Sequence, residues 1–93
     1  MIVGILTISL SIPGSDSLKD KRQVVKSVLD QIRAKFNVSA AEVDSLDSHT
    51  RAGLAFTCVS NSSVLVDQML NKVTSLINSN PRCEITDSSL EFV

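Results

Sequence analysis

The spacing of apolar residues switches between two periods along this chain, and the order of those switches constrains the fold more than any other feature. Residues 1–12 alternate, with Ile2, Leu6, Ile8, Leu10 and Ile12 on one side and Val3, Ile5, Thr7, Ser9 and Ser11 on the other. Period two with β-branched residues predicts a strand. Pro13-Gly14 stops it. Ser17, three residues before Asp20, then predicts a capped helix with Leu18 at its first position. Placed at about 100° intervals, Leu18, Val24, Val25, Val28, Leu29, Ile32 and Phe36 share one arc. Asn37 is expected to end the helix in the left-handed conformation.

Period two returns over Val38–Leu46, where it slips at Ala40-Ala41, the mark of a bulge or an edge position. The polar Asp47-Ser48-His49-Thr50 suits a hairpin connection. Arg51–Ser60 carries apolar residues on both faces and is expected to be central. Ser60-Asn61-Ser62 offers caps for a second helix. Its predicted core face holds Leu65, Val66, Met69, Leu70, Val73, Leu76 and Ile77, and Asn78-Ser79-Asn80-Pro81 ends it. Cys83–Phe92 reads as a last strand with an irregularity at Ser88-Ser89. The order β-α-β-β-α-β, with right-handed crossovers and one hairpin, predicts an α+β, ferredoxin-like fold. Its antiparallel four-stranded sheet takes the order 4-1-3-2, with both helices on one face and the other face open.

Ninety-three residues suit one domain over 1–93, since a second would leave neither half with a core. No apolar run approaches the ~20 residues of a membrane span. The short N-terminal run lacks a basic leader and alternates as a signal peptide does not, so a cytoplasmic protein with no membrane partner is expected. Cys58 and Cys83 read as buried thiols rather than a disulfide, because such staples belong mainly to small secreted chains. In the expected strand order they flank the first strand, two inter-strand spacings or roughly 9–10 Å apart.

Charge is strongly polarised. Pro13–Phe36 holds six of the nine Lys+Arg residues (Lys19, Lys21, Arg22, Lys26, Arg33 and Lys35) against three carboxylates, Asp16, Asp20 and Asp30. The remainder holds three bases and seven acids. Lys19, Arg22, Lys26 and Arg33 occupy a narrow arc beside the apolar one, extending about 21 Å at 1.5 Å per residue. Lys21 points towards the apolar side, yet it lies in the first turn, where a long stem is expected to reach water.

Catalytic chemistry has little to build on: one His, no Tyr, no Trp and two separated Cys. His49 reads as a solvated loop residue, and no catalytic residue, cofactor or enzymatic activity is expected. Glu42, Asp44 and Asp47 have no recognised cation-loop spacing and read as a solvated acidic edge, so no metal is expected. Gly14 before a helix lacks the Gly-x-x-x-x-Gly-Lys-Ser/Thr phosphate loop. The fold is also that of a common RNA-recognition module, which stacks bases on sheet aromatics. Phe36, Phe56 and Phe92 form no such platform, which leaves the basic helix face as the route to phosphate.

Pro13-Gly14, Ser17-Leu18-Lys19-Asp20-Lys21-Arg22, Phe36-Asn37-Val38-Ser39, Ala41-Glu42-Val43, Arg51-Ala52 and Val59-Ser60-Asn61 together resemble the YlxP-like bacterial family of unknown function, over essentially the whole chain. The resemblance implies a ferredoxin-like fold. It also implies a small accessory protein near RNA or ribosomes, because family members are often encoded beside transcription-elongation, translation-initiation and ribosome-maturation genes. It brings no catalytic residues and assigns no role to His49.

Two functions follow as expectations. One is RNA or ribosome association through Lys19, Lys21, Arg22, Lys26 and Arg33. The other is a structural or regulatory module whose open sheet face, with Val3, Ile5, Ala55 and Val59, makes a homodimer or takes a protein or small ligand.

Overall fold

The computed structural model describes every residue from Met1 to Val93. Its elements are β1 (Ile2–Ser11), α1 (Leu18–Lys35), β2 (Ser39–Asp44), β3 (Arg51–Ser60), α2 (Ser63–Asn78) and β4 (Glu84–Phe92). The strands form one antiparallel sheet in the order β2-β3-β1-β4, which is the predicted order read from the opposite edge.

Local chemistry accounts for the helix starts. Ser17 Oγ accepts from Asp20 N at 3.1 Å, and Asp20 Oδ2 accepts in return from Asp16 N at 3.1 Å. The first bond satisfies an amide that the helix leaves unpaired, and the second ties down the residue before the cap, a variant of the capping box. Ser62 does the same for α2 by accepting from Leu65 N at 3.3 Å. The end of α1 departs from the expected left-handed Asn37. Phe36 turns extended at φ −128°, with its N–H still bonded to Ile32 O, and Ser45 is the one non-glycine residue with positive φ. Packing decides here: Phe36 lies against the core, and an extended backbone delivers its ring there.

The core lies between sheet and helices. Leu6, Ile8, Leu10 and Ile12 with Leu54, Phe56 and Cys58 meet Val24, Val25, Val28 and Ile32 of α1 and Val66, Leu70, Val73 and Ile77 of α2. Gly4 permits the close approach of α2, since a Cβ there would stand 2.9 Å from Leu70 Cδ1 and nearer still to Val66 Cγ1. The buried stripe of α2 is narrower than the sequence suggests. Leu65 is 55% exposed, because the seam through Val66, Leu70, Val73 and Ile77 leaves it at the margin.

β2 is an edge strand, one of the two readings that its slipped alternation allowed, while the bulges themselves fall elsewhere than expected. Ala40 and Ala41 stay in register with Phe56 and Ala55, and the shift in β2 comes at Val43, between Glu42 and Asp44. In β4 the shift lies between Asp87 and Ile85, at Thr86 rather than Ser88-Ser89. The Thr86 hydroxyl donates to Ser9 O at 3.2 Å, which ties the extra residue to β1. Cys58 and Cys83 are free and buried. Cys58 stands opposite Gly4, whereas Cys83 precedes Glu84, the partner of Ser11. They therefore lie near opposite ends of β1, roughly 20 Å or more apart at ~3.3 Å per residue. That is well beyond the spacing first expected, which left out displacement along the strand.

Candidate functional site

Lys21 leaves the basic set. Its side chain is 1% exposed, with Nζ 2.7 Å from Glu42 Oε2 and donating to Ser45 O at 2.8 Å. The expectation that its stem reaches water is wrong because β2 and the hairpin close over the first turn of α1. Regular alternation from Ala40, opposite Phe56, points Glu42 to the helix side opposite Leu54, and the bulge that follows at Val43 places Asp44 opposite Gly53 on the other face. Its Oε2 is buried and meets no donor with hydrogen-bond alignment, so the short contact with Lys21 is ionic rather than well directed. Ser45, at φ 58°, is the strained residue of the hairpin, and Lys21 holds its carbonyl. A buried cation thus ties α1 to the edge strand.

The other predicted bases are exposed: Lys19, Arg22, Lys26 and Arg33. They lie on the β2 side of α1, as the reach of Arg33 Nη2 to Ala40 O demonstrates. Lys26 Nζ is 2.6 Å from Asp30 Oδ2, and Arg33 Nη1 is 3.9 Å from Asp30 Oδ1. Lys26 is 77% and Asp30 54% exposed, and such surface pairs are weak enough to exchange for another anion. Lys19 and Arg22 have no carboxylate partner. The result is a ridge of four cations along the outer side of one helix.

The opposite surface differs in sign. Val3, Ile5 and Ala55 are half-buried on the helix-free face, and Val59, opposite Val3, is 62% exposed. These apolar residues gather towards one end. The register sets Asp44, Glu84, Asp87 and Glu91 on the same face, with Arg51 its one cation. The acidic edge anticipated at Glu42, Asp44 and Asp47 is split. Glu42 is turned to the core side, and Asp44 covers Gly53, where a Cβ would be 2.6 Å from Asp44 Cβ. No three His, Cys, Asp or Glu side chains converge as a metal would require. His49 is exposed in the hairpin.

A feature that the sequence reading missed lies between the end of α1 and α2. A groove of about 630 Å³ is lined by Lys35, Phe36, Met69, Lys72 and Leu76 with two serines. Lys72 lies far from the basic segment in sequence, so only the fold brings it to Lys35. No helix is long and apolar enough to cross a membrane.

Comparison with known proteins adds a family and a fold. The family described as "Protein of unknown function (DUF503)" matches residues 3–90. The uncharacterized protein YlxP of Bacillus subtilis (strain 168) is 33% identical over 91 residues, covering 98% of this chain and 99% of its own. Among solved structures, a dimeric ferredoxin-like protein from an uncultured marine organism superposes with a TM-score of 0.53 at 9% identity, covering 100% of this chain and 96% of that one. That likeness supports the ferredoxin-like architecture already described.

Proposed function

The chain belongs to the DUF503 family of proteins of unknown function, and from that premise we propose that it is a non-enzymatic accessory protein of the cytoplasm that associates with RNA or ribosomes through the exposed ridge of α1. One observation carries the reading. Lys19, Arg22, Lys26 and Arg33 line one side of a single helix, while the helix-free face is lined by acids. A phosphate backbone approaching this molecule is drawn to one side and repelled from the other. Contacts of this kind fix position on a nucleic acid without reading its sequence. Lys21 takes no part, because its charge is satisfied inside the fold. The direct test is recovery of bound material from a native lysate with and without ribonuclease. Ribosomal or RNA partners that vanish after ribonuclease treatment support the reading, and partners indifferent to the nuclease contradict it.

A second reading rests on the open face. Val3, Ile5, Ala55 and Val59 have no helix over them, and a solved protein of this fold is described as dimeric. A homodimer formed face to face would bury this patch. It would also bring the acids of two copies together. Such a dimer therefore strengthens as salt screens the repulsion, the opposite of phosphate binding. Sedimentation across salt concentrations separates the two, and a monomer at all of them removes the dimer.

A further inference from the structure

We propose that the groove between the end of α1 and α2 docks an acidic amphipathic segment of a partner protein. This surface is separate from the cation ridge on the β2 side, and the inference does not depend on RNA binding. The floor is apolar: Phe36, Met69 and Leu76 line it, with Lys35 and Lys72 also in the lining. It continues into a hollow of about 240 Å³ that shares Met69 and Lys72 and adds Leu65. Leu65 is 55% exposed, so it extends the uncovered apolar surface rather than closing it.

Charge identifies the occupant. Neither the groove nor the hollow is lined by a carboxylate, although the chain has ten acids to nine Lys and Arg. Lys35 and Lys72 belong to none of the ion pairs, which are Lys21–Glu42, Lys26–Asp30 and Arg33–Asp30. Two unpaired ammonium groups on an apolar floor fit a ligand that supplies both carboxylates and hydrocarbon. A helical peptide with apolar residues at i, i+3, i+4 and i+7 and acids between them has that composition. A nucleic-acid backbone would meet the lysines and leave the floor wet. The flexible thioether of Met69 can adjust to the side chain laid against it.

The test titrates the isotope-labelled chain with a synthetic peptide bearing Leu at i, i+3, i+4 and i+7 and Glu elsewhere, followed by amide chemical shifts. An analogue with Lys in place of every Glu is titrated in parallel. The acidic peptide is expected to move the amides of Lys35, Phe36, Met69 and Lys72, and the basic analogue to leave them still. Lys72→Glu and Lys35→Glu should each weaken binding at least about tenfold, the equivalent of ~1.4 kcal/mol, while Lys26→Glu on the ridge leaves it unchanged. Equal response to both peptides, response at Arg22 and Lys26 instead of the groove, or no response overturns the proposal. So does movement of the same amides with protein concentration alone, which would make a second copy the occupant, or a stronger response there to duplex RNA.

Discussion

Lys21 and Glu42 depend on each other inside the fold. Deleting the Lys21 side chain leaves Glu42 with a buried oxygen and no countercharge. Lys21→Ala should therefore lower stability by about 3 kcal/mol in urea unfolding. Lys21→Met combined with Glu42→Leu fills similar volume without charge and should restore most of that loss or exceed it. A double variant as unstable as the single one would show that packing around Lys21, not its ion pair, carries the energy. Angular position placed Lys21 on the apolar arc, but nothing in the sequence told that the hairpin lies over it. The inward direction of Glu42 is set by its pairing with Leu54, which lies further along the chain. Cys83 gives a second residue-scale expectation. Burial raises its thiol above the ordinary value of 9.0, so the unfolded chain loses that proton first. Its contribution is complete below that value and is lost as pH rises through the folded-state value. Urea midpoints should fall as pH rises above about 9 in the native chain, and fall less in Cys83→Ala.

Among the elements, α2 rests on β1 at Gly4, where any side chain meets Val66 and Leu70. Gly4→Ala should cost about 1–3 kcal/mol through overpacking. Val66→Ala alone leaves a cavity, yet combined with Gly4→Ala it gives the new methyl room. The two losses should then sum to more than the double variant loses, since the sites touch. Strict additivity would mean that α2 shifts instead of clashing. Element order, sheet order and the start of both helices were legible in the sequence because they depend on local caps and apolar period. The bulges at Val43 and Thr86 were not, since an extra residue is defined only against a partner strand. The end of α1 escaped for a similar reason: Asn37 has the right local chemistry, but the burial of Phe36 overrides it.

At the scale of the molecule, one face is acidic and one helix side is basic, within a net charge of −1. The sequence located the basic helix but not what neighbours it, so it could not separate the buried Lys21 from the four exposed cations, nor find the Lys35–Lys72 groove. Polarity of this kind makes salt the deciding variable. Each backbone phosphate neutralised releases condensed counterions, so four contacts on a duplex give a log-affinity slope against log salt of about −3 to −4. The measurement that bears most directly on the ridge is this slope for duplex RNA, taken with the native chain and with Lys26→Glu. The account predicts that slope for the native chain. For Lys26→Glu it predicts weaker low-salt binding and a shallower slope, with stability changed by ~0.5 kcal/mol or less. Salt-insensitive binding, no binding at low salt, or identical curves for the two proteins would contradict it.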